Sequence, residues 1–270
     1  MAEGITVGPL TVGYFALLVL AALVAGGAIG AVRARQAGED PSLLLDLGSA
    51  ALLGGLIAAR LFFVLNPPPS VAAYYDRAWF LSHPLDLQAG PLAVWSGGLS
   101  SAGALVGGGL ACALMLWRRG VDLPRWADLL APGILVGLAI APWGNILTGQ
   151  LYGPPTTLPW GMVVEQPLPP YPAGTRFHPT PAYLSLWALL CLGLVTLVGR
   201  RYAGRLRPGD RSLISLGTYA LGLFAFDFLR LDVTRLVGLT ETQWVALVLL
   251  IATLLALRRA PRQDGVQSAL

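Results

Sequence analysis

The sequence predicts an all-α protein that crosses a lipid bilayer about seven times, with its N-terminus outside and its C-terminus in the cytoplasm. Three observations carry that expectation. The chain is 55% hydrophobic and only 12% charged, about half the charge of a soluble domain, and its mean hydropathy is +0.66. Its apolar residues fall in runs of about 20, the length a helix needs to span the hydrocarbon core. Its basic residues are all arginine, and thirteen of the eighteen sit in alternate connections, at 33–35, 118–125, 200–211 and 258–262. The other five are Arg60, Arg77, Arg176, Arg230 and Arg235. A positive excess marks the cytoplasmic side, so the remaining connections face outward.

Each element has its own signal. The first apolar run, about 9–32, ends at Arg33 and Arg35. It is too long for a signal-peptide core and lacks a basic segment before it, so it reads as a retained helix. A second helix over 42–65 is entered through Pro41-Ser42 and stopped by the triple proline 67–69; it carries Asp46 and Arg60. Residues 71–82 are too short to span and rich in Tyr74, Tyr75, Trp79 and Phe80, which suits a helix lying in the interface. Further helices are expected over 98–117, 124–143, 181–199, 212–231 and 241–257. The reading is one domain over 1–257, with long outer loops at 66–97 and 144–180 and a polar cytoplasmic tail at 258–270.

Small residues at four-residue spacing, Gly26/Gly30, Gly103/Gly107, Gly133/Gly137 and Gly149/Gly153, allow close helix approach. Cys112 and Cys191 lie inside apolar runs without ligand-like neighbours, so they read as packing residues rather than as a metal site or disulfide. No metal or cofactor is required by the pattern. The arginines sit at helix ends rather than on one face, which argues against a nucleic-acid partner. Lysine chemistry is excluded because the chain has none. No internal repeat is visible, which weakens a transporter reading.

Chemistry points to 139–153, AIAPWGNILTGQLYG. A polar, Gly- and Pro-broken stretch at membrane depth is tolerated where protein buries it or where it lines a cavity. Asn145 between Gly144 and Ile146 can bond a phosphate or carbonyl, with Gln150, Gly149 and Gly153 close behind. The stretch 95–109, WSGGLSSAGALVGGG, has the same character and is expected to face it. Charges embedded in a membrane are functional candidates. Asp227 and Arg230, three apart on the sixth helix, share a face and can pair. Arg60 can meet a lipid phosphate. His178, with Tyr183 one turn on, is a candidate base.

Taken together, these stretches resemble the bacterial prolipoprotein diacylglyceryl transferase family. AARLFFVL (58–65) is similar to the family's G-A-R-L-F-Y-V segment. WFLSHPLDL…LAVWSGGLSSAGALVGG (79–108) resembles N-P-x-x…W-x-G-G-M-S-x-H-G-G. PWGNILTGQLYG (142–153) resembles the signature G-R-x-G-N-F-x-N-x-E-x-x-G. HPTPAY (178–183) resembles H-P-x-Q-L-Y, and FDFLR (226–230) the E-F-F-R end of the sixth helix. Five matches in order, on a seven-span frame, carry the resemblance through most of the chain.

The resemblance implies a bacterial inner-membrane enzyme that moves a diacylglyceryl group from phosphatidylglycerol to the lipobox cysteine of a prolipoprotein. A thiolate attacks a glycerol carbon and glycerol phosphate leaves. It further implies Arg230, Asp227 and His178 as catalytic residues. Arg60, Gly97, Gly98, Gly144, Asn145, Gly149, Gln150, Gly153 and Tyr183 are the implied substrate-binding residues. The chain departs from the family at Pro142 (arginine in the signature), Ala102 (histidine), Gln150 (glutamate) and Thr148 (asparagine). Leu223 stands near an expected arginine, and Tyr14 is nearest to a tyrosine motif. These departures leave a second reading open, a catalytically degenerate paralogue that binds phospholipid or a lipoprotein signal peptide.

Overall fold

A computed structural model describes residues 4–7, 10–231, 233 and 235–258. The chain opens on a hairpin, β1 (Gly4–Val7) paired antiparallel with β2 (Leu10–Gly13). Helix α1 therefore starts at Tyr14 and runs to Gln36, not at residue 9 as the apolar run suggests. Thr6, Val7, Thr11 and Val12 are β-branched and favour extended backbone, so hydropathy alone misplaces this boundary. Helix α2 (Leu43–Leu65) agrees with expectation. The aromatic stretch 71–82 becomes two short helices, α3 (Pro69–Ala72) and α4 (Arg77–Ser82), the second capped by the Asp76 carboxylate accepting from Trp79 N–H.

Helix α5 (Ser101–Arg118) begins three residues later than expected. Gly97 and Gly98 hold φ of +83° and +72°, a region closed to a right-handed helix and open to glycine. Helix α6 (Leu123–Ile140) stops just before Pro142, which has no N–H to donate. Pro142 itself has helical dihedrals and opens the short α7 (Trp143–Leu147). The loop then carries a small hairpin, β3 (Met162–Val163) with β4 (Arg176–Phe177), over a core of Met162, Val164 and Phe177. Helix α8 spans Thr180–Arg201 and α9 spans Asp210–Phe226. The sixth apolar run thus leaves the α-helix before Asp227; residues Asp227–Leu229 form a 3₁₀ turn and Arg230 is extended. A last hairpin, β5 (Arg235–Leu236) with β6 (Leu239–Thr240), leads into α10 (Glu241–Leu257). The tail from 259 onward lies outside the described residues.

Among the described residues six helices are long and apolar enough to cross a membrane, and leucines line the exposed surface, so the chain is a polytopic membrane protein. Glycine lets the helix backbones touch. A methyl group on Gly26 would sit 2.7 Å from the Gly133 carbonyl, and one on Gly54 would sit 2.8 Å from the Gly107 carbonyl. These contacts build the α1–α6 and α2–α5 pairs, as the four-residue spacings suggest. The Gly149/Gly153 spacing is different, because α7 has already ended at Leu147. Beside the glycine pairs, Leu135 and Ala139 of α6 pack against Ala188, Cys191 and Val195 of α8 and Tyr219 of α9. Helix α10 packs on α9 and touches α5.

Candidate functional site

Alternation of helix direction gathers the C-terminal ends of α2, α6 and α9 with the N-terminal ends of α5, α8 and α10. The polar residues of interest converge there in two linked halves.

The first half is organised by Arg60. It sits in the last turns of α2, 5% exposed. Its five N–H groups, the full donor set of a guanidinium, all go to main-chain oxygens. Nε donates to Pro91 (3.0 Å), Nη1 to Gly97 (2.5 Å) and Gly98 (2.9 Å), and Nη2 to Gly90 (2.7 Å) and Ala89 (3.5 Å). The rings of Phe63 and Phe80 lie 5.3 and 6.0 Å from its central carbon, within cation–π range. Arg60 thus clamps the segment 89–98. In this conformation it offers no N–H to a phosphate.

Ser100 follows that segment. Its N–H bonds the Ala59 carbonyl, and its Oγ accepts from Gly103 N–H as the cap of α5. The same Oγ donates to Glu241 Oε1 at 2.5 Å. Glu241 is the first residue of α10, and its neighbour Thr240 donates to Asp227 Oδ2. The other Asp227 oxygen pairs with Arg230 Nη1 at 3.0 Å. Asp227 is 5% exposed and the Arg230 side chain 22%. The expected pairing is therefore present, but in a 3₁₀ turn, where side chains three apart eclipse.

The second half surrounds the loop after α7. Gly153 lies so close to His178, Thr180 and the Leu229 carbonyl that a methyl group would sit about 3.1–3.2 Å from each. Gly153 N–H bonds the His178 carbonyl, and Thr180 Oγ1 donates to the Leu151 carbonyl. His178 Nδ1 lies 2.9 Å from the Tyr183 hydroxyl, which also accepts from Trp160 Nε1 at 3.2 Å. Tyr183 packs near Phe226. The Leu229 carbonyl and Phe226 thereby join this half to Asp227 and Arg230.

Within the stretch 139–153, the main packing of α7 is not on α5. Helix α7 lies instead on α1 and α8, and Gly144 is buried against Phe15, whose Cα would be 3.0 Å from an added methyl. Asn145 is half-buried and Gln150 exposed; Gly149 turns the chain after α7 with φ +65°. Ser100, Trp160, Thr240 and Glu241 are missing from the sequence-derived set. The Thr240–Gln243 capping box is a legible signal. Glu241 has none, because its partner Ser100 is 141 residues away. Among the described residues no group of His, Cys, Asp and Glu is arranged to hold a metal.

The profile of the family described as prolipoprotein diacylglyceryl transferase matches residues 3–259 of the chain. A relative from Nostoc sp. is 32% identical, covering 98% of this chain and 93% of its own. One from Gloeobacter violaceus is 34% identical, covering 97% and 94%. Both are named phosphatidylglycerol–prolipoprotein diacylglyceryl transferase. A relative from Streptomyces coelicolor named as transferase 2 is 31% identical over 97% of this chain and 80% of its own.

Proposed function

This chain belongs to the prolipoprotein diacylglyceryl transferase family, and from that premise we propose that it transfers a diacylglyceryl group from phosphatidylglycerol to the lipobox cysteine of prolipoproteins. The cysteine thiolate attacks the glycerol carbon that bears the phosphodiester; the carbon–oxygen bond breaks and glycerol phosphate leaves. The protein must hold the phosphate as charge accumulates on it, which a guanidinium does well.

The observation that carries this reading is the Asp227–Arg230 pair. Asp227 is buried and fixed by Thr240, so Arg230 is anchored on one side while its side chain stays partly exposed. Arg230 is the phosphate ligand and Asp227 its orienting partner. Arg60 acts through the segment it clamps, presenting Gly97 and Gly98 at the lip of the site. Asn145, Gln150, Gly149 and Gly153 form the wall on which the headgroup is oriented, with Gly144 packed behind it on Phe15, and His178 with Tyr183 completes it.

The topology goes with this. Helix α10, about 25 Å long at 1.5 Å per residue, is the seventh span of a single domain over 1–257. The arginine-rich end is cytoplasmic and the N-terminus outer, in a bacterial inner membrane. The site then opens on the outer face, where secreted prolipoproteins arrive.

The test is transfer in phosphatidylglycerol vesicles with a lipobox peptide, followed by mass. We expect a diacylglyceryl mass gain, reduced about 10²–10³-fold in Arg230→Ala while the variant still inserts. Unchanged transfer in that variant sinks the assignment.

A further inference from the structure

The transferase reading requires an acceptor for the thiol proton, and the inference here rests on that reading. Within the two linked halves of the site, three of the described groups qualify by chemistry. Asp227 has both oxygens engaged, by Arg230 and by Thr240. The Nδ1 of His178 is held on the Tyr183 hydroxyl. Glu241 differs from both. One oxygen accepts from Ser100. The other, Oε2, is shielded from solvent and has no hydrogen-bond partner among the described residues. A buried acceptor left without a donor is costly and rare, and it is what a site looks like before its donor arrives.

Its surroundings isolate it further. The cations at this end include Arg60 of α2, Arg230 after α9 and Arg235 of β5. Arg60 is spent on carbonyls, Arg230 pairs with Asp227, and Arg235 lies in the strand opposite Thr240. None of the three forms an ion pair with Glu241 among the described residues. Ser100, which orients the carboxylate, caps α5 two residues before Ala102, where the family resemblance has histidine. The carboxylate therefore reaches, from α10, the turn of α5 that lacks the imidazole.

We propose that Glu241 is the general base of this chain. Its Oε2 takes the proton as the S–H bond of the lipobox cysteine breaks. The sulfur pair forms the bond to glycerol carbon, and the carbon–oxygen pair leaves with the phosphate. The proton then passes from Glu241 to the departing glycerol phosphate or to water, which restores the carboxylate without any further reactant.

The test uses the full chain in phosphatidylglycerol vesicles. Glu241→Gln keeps the oxygen that Ser100 bonds and removes the base; we expect kcat to fall about 10²–10⁴-fold, with KM for the lipid within a few-fold. Glu241→Asp should retain more activity than Glu241→Gln. A peptide carrying selenocysteine at the lipobox position, whose selenol ionises without help, should restore turnover to Glu241→Gln. A structural defect would not respond to that peptide. Transfer by Glu241→Gln within a few-fold of the parent overturns the proposal and leaves the transferase reading standing. Absence of selenocysteine rescue also overturns it. An inactive parent chain, beside an active relative carrying the full motif, removes the transferase reading and this inference with it.

Discussion

The two ends of the bundle both carry charge, and they use it differently. At the arginine-rich end, Arg119 meets Asp46 at 2.5 Å and Arg125 meets Glu39 at 2.9 Å, with the first pair 48% exposed on both sides. These are separate contacts between connections. At the opposite end, Arg60 is buried and answers to five carbonyls, and Arg230, Asp227, Thr240, Glu241 and Ser100 connect through residues adjacent in the chain. Exposed ion pairs contribute about 0–1 kcal/mol. Buried polar groups that share partners cannot be removed singly without stranding others. The first end makes exposed pairwise contacts, and the second holds a geometry.

The sharpest way to break this comparison is Arg60→Ala. It strands carbonyls of residues 89–98 that now accept from a cation, and such bonds contribute about 1.5–3 kcal/mol each. We expect a loss of at least about 3 kcal/mol, read from thermal unfolding in detergent, with new protease nicking between 83 and 100. Arg60→Lys should recover little, since a compact ammonium with three donors cannot reproduce a planar fork with five. Stability near the parent value in Arg60→Ala would mean that the clamp is incidental.

A smaller effect is expected from acid. Asp86 lies on the exposed loop feeding this clamp, and its carboxyl is held below the usual carboxylate range by the backbone N–H groups of Ala89 and Gln88. A lowered folded-state pKa adds stability above the unfolded value of about 3.9, and that stability is lost as pH falls through the lower folded value. Hydrogen exchange at 86–90 should be flat from neutral pH to about pH 5 and quicken below about pH 4. Asp86→Asn should remove that acid dependence and be loose at neutral pH.

The smallest change is expected at the other end. Asp46→Ala removes the exposed pair with Arg119 and should cost no more than about 1 kcal/mol, with transfer unaltered. A loss as large as that of Arg60→Ala would erase the distinction between the two ends.

Much of the frame was legible beforehand. The second, fifth and seventh apolar runs end within about two residues of α2, α8 and α10, because apolar length and flanking proline or arginine set those boundaries. The errors fall where a local conformation overrides hydropathy. Gly98 reads as the start of a helix but, like Gly97 before it, has a positive φ, and Phe226 looks mid-helix and ends α9. Gly144, which the resemblance implies as a substrate-binding residue, packs against Phe15.

What the sequence determined by itself is the membrane frame, the glycine pairs that bring its helices together, and the family, since these rest on composition, spacing and motif order along one chain. What only the tertiary structure decided is which polar groups are already satisfied and which are not. Arg60 and Glu241 are both single charged residues near the end of an apolar run. One is saturated by a loop about 30 residues on, and the other retains a bare oxygen beside a serine 141 residues away. Hydrogen-bond satisfaction is a property of three-dimensional neighbours, and no local pattern encodes it.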